Sequence, residues 1–341
     1  MASPSLPTTS PSPILDLLDG FRRSKAMFSA VSLGVFDALE GNPQDCAALA
    51  AKFNADHDAL ERLLNSCVAL NLLTFTDAKF ANTEVASVYL TRQSERTLSA
   101  YVRYSDQALF PLWSNLGDAI REGSNRWNQT FGPGADLFSS HFFRTDESMR
   151  DFLQGMHGLG LLSSPINVAA FDLSRFGRLV DLGGATGHFA IEASRRYPQL
   201  ACAVFDLPRV ITIAAEFVAA AKAPVDTLAG DFFADPLPPA DLYSLGRILH
   251  DWSEDKIVKL LLKICGSLPH GGGLLVLEKV LDDDRTGPAT ALMQSLNMLI
   301  CTEGKERNLG EYRGILEQTG FTQIEVRRTG APVDVILAIK P

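Results

Sequence analysis

Residues 178–208, RLVDLGGATGHFAIEASRRYPQLACAVFDLP, constrain the fold of this chain more than any other stretch. The apolar pair Leu179 and Val180 ends in Asp181, and a tight turn follows through Gly183, Gly184 and Gly187. Helix-period spacing then runs from about 189 to 196, and a second apolar run, 201–205, ends in Asp206. Strand, glycine loop, helix, strand, acid is one nucleotide-binding half of a doubly wound α/β sheet. The glycines let backbone approach a ligand where a Cβ would clash. Asp206, closing the second strand, can accept both hydroxyl protons of a ribose. The alternation continues, predicting strands at 178–182, 201–206, 225–229, 241–246, 273–280, 322–328 and 332–339. The last two should pair as an antiparallel hairpin around Gly330, and helices should cover both faces.

The loop also narrows the ligand. A dinucleotide loop, G-x-G-x-x-G counted from Gly183, needs glycine at 185 and 188, where the chain has Ala185 and His188. D-x-G-x-x-x-G with an acid closing the next strand is the pattern of S-adenosylmethionine sites. That molecule carries an ammonium and a sulfonium and no phosphate, which gives Asp181 near the loop a purpose. A strand–turn–helix without a ligand is the plainer alternative.

At 341 residues the chain is long enough for two domains. A net charge of −9 argues against nucleic acid or an anionic membrane as partner, and no apolar run approaches the length of a membrane span. The five cysteines are scattered, as reduced thiols of a cytoplasmic protein are. The six histidines lie far apart in sequence, and no metal site is expected. Residues 1–13, rich in Pro, Ser and Thr, read as a disordered tail without the blocks of a signal peptide.

Residues 14–100 read as helical, with segments at 14–27, 28–39, 46–53 and 56–70 and a short hairpin, 72–75 with 79–82. Helices followed by such a hairpin make a winged-helix-like unit. The segment at 56–70 carries Asp56, Asp58 and Glu61 against Arg62, which suits DNA poorly. The apolar first helices suit a homodimer interface. Residues 101–165 read as a helical connector and pocket wall, with Phe110, Leu112, Trp113, Phe138, Phe142, Phe143, Phe152 and Met156 suited equally to plain core. Residues 166–341 read as a cofactor-binding catalytic domain.

Chemistry-bearing residues follow the strands, where ligands sit in such sheets. After the third strand come Gly230, Asp231 and Phe232; the acid can bind an adenine amino group and the ring can lie on the base, or they are a turn acid and core aromatics. After the fourth comes RILHDW, with Arg247 placed for a carboxylate, or for a surface ion pair, and His250, whose ordinary pKa of ~6.5 suits a general base. Glu278 ends the fifth strand and Glu306 lies in GKER; a carboxylate beside a histidine fixes its tautomer and stabilises the imidazolium, or each is a solvated charge or helix-end partner. Asn297, polar in an apolar helix, implies a buried hydrogen bond to substrate or backbone.

DLGGATG, FDLP, GDFF, ILHDW, LEKVL and SLNMLICTEGKER, in this order, resemble the class I S-adenosylmethionine-dependent small-molecule O-methyltransferases, the family of the plant caffeate and the acetylserotonin (hydroxyindole) enzymes. The resemblance covers nearly the whole chain, FRRSKAMFSAVSLGVFDAL included. It implies a homodimer built through the N-terminal helices, a small aromatic hydroxyl acceptor and S-adenosylmethionine as methyl donor, with no metal. It implies His250 as base between Glu278 and Glu306. It implies Asp206, Asp231, Phe232 and Arg247 around the cofactor, and Asp251 and Asn297 near the acceptor; the loop and strand-end residues Asp181, Gly183 and Gly230 are expected to join the cofactor set, and Cys301 and Met156 the acceptor set. A methyltransferase-like protein that binds the cofactor without catalysis is the alternative. Three positions depart from the pattern. Ala185 replaces a usual loop glycine, and Cys301 and Gly160 stand where the acetylserotonin enzymes carry glutamine and tryptophan.

Overall fold

The computed structural model describes residues 9–137 and 144–341. The expectations for residues 1–8 and for Phe138, Phe142 and Phe143 fall outside them. The chain divides into two compact units, Met1–Gln107 and Ala108–Pro341.

The first unit contains α1 (Ser12–Leu33), α2 (Val35–Leu39), α3 (Cys46–Phe53), α4 (His57–Ala69), the antiparallel strands β1 (Leu73–Thr76) and β2 (Lys79–Asn82), α5 (Glu84–Leu90) and α6 (Ser99–Tyr104). The first helical break falls at Gly34, not near residue 27 as the apolar spacing suggests. Gly34 adopts a left-handed φ of 80° and its N–H caps the carbonyls of Ala30 and Val31. Asp45 and Asp56 begin α3 and α4 by accepting hydrogen bonds from the N–H groups of Ala48 and Ala59, at 2.8 and 2.9 Å. Asp77 and Ala78, both left-handed, turn the hairpin. Phe36, Leu39, Leu49, Leu64, Leu73 and Phe80 form the core. Ile14, Leu15, Leu17, Leu18 and Phe21 stay exposed along α1, Leu17 at 77%.

The second unit opens with α7 (Phe110–Trp113), α8 (Leu116–Glu122), α9 (Trp127–Phe131) and the long α10 (Asp146–Ala169). The sheet follows: β3 (Arg178–Leu182), α11 (His188–Arg196), β4 (Ala201–Asp206), α12 (Pro208–Ala221), β5 (Val225–Ala229), β6 (Leu242–Gly246), α13 (Glu254–Ser267), β7 (Gly273–Glu278), α14 (Ala289–Cys301), α15 (Leu309–Gln318), β8 (Thr322–Arg327) and β9 (Asp334–Ile339). Among the described residues the sheet has seven strands in the order β5-β4-β3-β6-β7-β9-β8. The first five are parallel, and β9 runs antiparallel to both neighbours. Each predicted strand appears within two residues of its expected bounds, because parallel strands covered on both faces read as short continuous apolar runs. Val180, Ala203, Tyr243 and Leu274 pack into the layer that holds Leu260, Leu261 and Leu316; Leu179, Cys202, Leu242 and Leu275 pack into the opposite one with Phe189. Among the described residues no helix is long and apolar enough to cross a membrane.

The parallel strands all end on one edge of the sheet. That edge gathers the glycine loop after β3, Asp206 at the end of β4, Gly230 and Asp231 after β5, residues 247–251 after β6 and Glu278 at the end of β7.

Candidate active site

The glycine loop turns on left-handed residues. Gly183 has φ 67°, Ala185 φ 51° and Gly187 φ 77°. A Cβ on Gly183 would meet Ile248 Cδ1 at 2.7 Å and Phe232 Cε1 at 3.1 Å, so the loop must stay bare there. Ala185 takes the conformation a glycine would, and its N–H donates to Asp206 Oδ2 at 2.9 Å. Asp206 Oδ1 accepts from the N–H of Leu207 at 2.7 Å. Burial raises the Asp206 carboxyl to about 6, held back by these two amides. A carboxylate has about four acceptor sites, so room remains for hydroxyl donors.

Asp181 lies under the loop. It is buried, and Ser244 Oγ donates to its Oδ1 at 2.6 Å. A Cβ on Gly184 would meet its Oδ2 at 2.5 Å. Burial lifts its pKa to about 7, against the Ser244 hydrogen bond and with a contribution from Asp206. The side chain thus lies close under the loop, between Ser244 and the Gly184 backbone. Gly230 is also used internally: it is buried, its N–H donates to Asp206 O at 2.9 Å, and a Cβ there would clash with the Phe205 ring. The half-buried Asp231 accepts from the N–H of Phe233 at 2.7 Å, and Phe232 stands beside Phe233 with ring centroids 4.7 Å apart. Arg247 is half-buried at the end of β6, left-handed at φ 56°, and its N–H donates to Leu277 O at 3.0 Å.

His250 sits in a one-turn 3-10 helix, Leu249–Asp251. Glu278 holds this turn. Its Oε1 accepts from the N–H groups of Leu249 and His250, at 2.8 and 3.3 Å, and its Oε2 lies 3.2 Å from His250 Nδ1. Glu306 Oε1 lies 2.7 Å from the same Nδ1. The Nδ1 hydrogen bond thus goes to Glu306, Glu278 Oε2 stands beside it without a hydrogen bond of its own, and Nε2 lies on the other side of the ring, 3.7 Å from Asp251 Oδ1. Burial opposes a charge on the imidazole, but Glu278, Glu306 and Asp251 outweigh it and push His250 up to about 10. Burial in turn raises Glu278 to about 7 and Asp251 to about 6, each against the pull of His250.

Behind the turn lies a layer that the sequence did not reveal. Buried Arg307 donates from Nη1 to the carbonyls of Leu249 and Lys305, at 3.2 and 3.1 Å. Gly304 packs directly on the His250 carbonyl, where a Cβ would clash. Both lie in the GKER segment, in which only the glutamate stood out.

Asn297 on α14 accepts from the Trp113 indole N–H at 3.0 Å through Oδ1. That donor fixes the amide, so its NH₂ points elsewhere. The Cys301 thiol lies 3.9 Å from the same oxygen, and burial pushes its pKa far up. Trp127 anchors the end of α14 by donating to Cys301 O at 2.7 Å. Met156 is half-buried on α10.

The site therefore sets a glycine loop and the Asp206 carboxyl on the same sheet edge as a buried histidine, with Glu278 and Glu306 at Nδ1 and Asp251 3.7 Å from Nε2. The donor set suits S-adenosylmethionine in kind: Asp206 and Asp231 can accept from hydroxyl and amino groups and Arg247 can donate to a carboxylate, while Gly183 is packed closely against Ile248 and Phe232. His250, Glu278 and Glu306 also present donor atoms within 4.8 Å of one another, close enough for a cation to bind.

Comparison with known proteins identifies the lineage. The family described as O-methyltransferase domain matches residues 113–322, and that described as O-methyltransferase dimerisation domain matches residues 15–92. A probable bifunctional dTTP/UTP pyrophosphatase/methyltransferase protein of Homo sapiens is 43% identical over 97% of this chain, which spans 54% of that protein's length. Acetylserotonin O-methyltransferase of Bos taurus is 41% identical, covering 94% of this chain and 95% of the bovine protein. The crystal structure of human N-acetylserotonin methyltransferase in complex with S-adenosylmethionine superposes with a TM-score of 0.90 at 38% identity, over 100% of this chain and 99% of that one.

Proposed function

Because the chain belongs to the O-methyltransferase family, we propose that it transfers a methyl group from S-adenosylmethionine to the hydroxyl of a small phenol or hydroxyindole, with His250 as general base. One observation carries this reading: the buried His250 has Nδ1 held by Glu306 at 2.7 Å and Glu278 at 3.2 Å, on the same sheet edge as the glycine loop. Bound S-adenosylmethionine supplies an electrophilic methyl on a sulfonium, a good leaving group. Asp206 accepts the ribose hydroxyls, Asp231 and Phe232 hold the adenine, and Arg247 meets the carboxylate. Asp181 shapes the loop from below.

His250 Nε2 faces the acceptor hydroxyl and takes its proton. Glu278 and Glu306 hold the resulting imidazolium by its other nitrogen, which is the role of a buried carboxylate beside a catalytic histidine. A phenol with pKa ~10 is little ionised at neutral pH, so the pull of the three carboxylates on His250 brings base and acceptor to matched proton affinities. Asn297, its carbonyl taken by Trp113, offers its NH₂ to the acceptor, and Cys301 and Met156 flank it as apolar wall.

The chemistry is read as metal-independent, with Nδ1 and the Glu306 oxygen at hydrogen-bond distance, 2.7 Å. Activity should survive exhaustive chelation. The exposed apolar residues of α1 and the dimerisation-domain match support a homodimer. The cysteines, unpaired among the described residues, fit a cytoplasmic setting.

The test is incubation with methyl-labelled S-adenosylmethionine and a panel of phenols and hydroxyindoles, followed by identification of the labelled product. Label on the hydroxyl oxygen supports the reading. Cofactor binding without transfer to any acceptor would leave the chain a binding protein and sink it.

A further inference from the structure

Two histidines outside the His250 cluster bind the glycine loop to α10. His157 Nδ1 lies 2.8 Å from the Thr186 hydroxyl, and His188 Nδ1 lies 2.8 Å from the Ser164 hydroxyl. Thr186 and His188 flank Gly187, the left-handed residue that begins α11. On α10 the positions are 157, 160 and 164, one face of a helix. The middle one is Gly160, and a Cβ there would clash with the His188 ring, so the imidazole lies flat against bare helix backbone. Ser164 Oγ also reaches Gly160 O at 2.9 Å. A hydroxyl has one hydrogen. If Ser164 gives it to that carbonyl, His188 donates from Nδ1 and is fixed in one tautomer. His157 is further packed against Phe217 of α12, with centroids 4.5 Å apart.

We propose that His157 and His188 are positioning residues that hold the cofactor loop in its binding conformation from α10, and that Gly160 is glycine to admit the His188 ring. The inference rests on the methyltransferase reading of the loop. Ala185, a non-glycine residue in the left-handed region, needs outside restraint to stay in that shape. Here side chains that flank the turn add their restraint to the turn's own hydrogen bond, from the Gly187 N–H to Gly184 O at 2.8 Å. Burial lowers His157 to about 4 and His188 to about 3, so both rings are neutral at pH 7. A neutral brace suits a ligand that carries a sulfonium and an ammonium; lysine in either place would repel it.

The experiment is calorimetric titration of the full chain with S-adenosylhomocysteine, which needs no acceptor. The parent should bind. His157→Leu should weaken binding about fivefold or more, the scale of one net hydrogen bond, while His157→Gln, which keeps an amide to meet Thr186, should stay within about twofold. Gly160→Ala should weaken binding, and Gly160→Ala with His188→Ala should recover part of the loss because the clash is gone. Circular dichroism establishes that each variant is folded. If folded His157→Leu and Gly160→Ala bind as the parent does, with only the thermal midpoint lowered, the residues merely pack and the inference fails. A double variant no better than Gly160→Ala refutes the paired role of Gly160 and His188. A parent that does not bind at all overturns the cofactor reading itself.

Discussion

Replacing Glu306 by glutamine removes one of three carboxylates around His250 and leaves a side chain that fills the same space. Burial drives the imidazolium pKa down; Glu278, Glu306 and Asp251 together carry it up to about 10. At an effective dielectric constant of ~20 and a charge separation of ~4 Å, one such pair is worth about 4 kcal/mol, or about three pKa units. That is an upper figure, because Glu278 shares the same nitrogen and takes over part of the interaction when Glu306 is lost. A fall of about two units is expected. A general base must be neutral to act, so kcat/KM of the parent should still be rising with pH between ~7 and ~9, well above the range of an ordinary histidine. In Glu306→Gln the same limb should have its midpoint near pH ~8, with a lower plateau because the base is weaker. The assay is initial rate with labelled S-adenosylmethionine at subsaturating acceptor, across that pH range. A parent profile with its midpoint near ~6.5, or a limb that does not move in Glu306→Gln, would refute the reasoning.

Other expectations follow from the same geometry. His250→Ala should lose ~10²–10⁴ in turnover while S-adenosylhomocysteine still binds, checked by rate and calorimetry on one preparation. Asp206→Ala should weaken cofactor affinity severalfold; unchanged affinity removes Asp206 from the site. Leu17→Asp with Phe21→Asp, on the exposed face of α1, should convert a dimer into a monomer in sedimentation, and a monomeric parent would end the dimer proposal. Asp181, Asp206, Asp251 and Glu278 all have raised carboxyl pKa values, between about 6 and about 7. Groups so raised stabilise the fold below their unfolded pKa of ~4 and lose that contribution as pH climbs through the folded value. The thermal midpoint of the ligand-free protein should therefore decline between pH ~5 and ~8, and a rising midpoint would contradict these shifts.

The sheet and its edge were legible in the sequence because parallel strands announce themselves as apolar runs closed by an acid or a glycine. Asp206, His250 and Glu278 all follow from that rule. Helix breaks were less legible: apolar spacing divides 14–39 near residue 27, but the chain turns where Gly34 can become left-handed. Spacing alone could not show which way a side chain faces: Asp181 read as an acid near the loop, and its hydrogen bond from Ser244 was not visible. Contacts distant in sequence were invisible. Trp113 and Asn297 are 184 residues apart, and their hydrogen bond decides which end of the amide is free. The histidines dismissed as scattered include a pair, His157 and His188, brought together by α10 and α11 with ring centroids 6.3 Å apart.

Arg247 holds a left-handed backbone that glycine would adopt without strain. For a residue with a Cβ that conformation costs about 1–2 kcal/mol, of which glycine would return part after its greater chain entropy, about 0.5–1 kcal/mol, is counted. A library of this gene sorted only for heat resistance or expression should therefore tolerate or enrich glycine and asparagine at 247, while one sorted for product formation should retain arginine. The contrast between the two sorted populations at this single codon would separate what the fold asks of the position from what the reaction asks of it, without any structure of a complex.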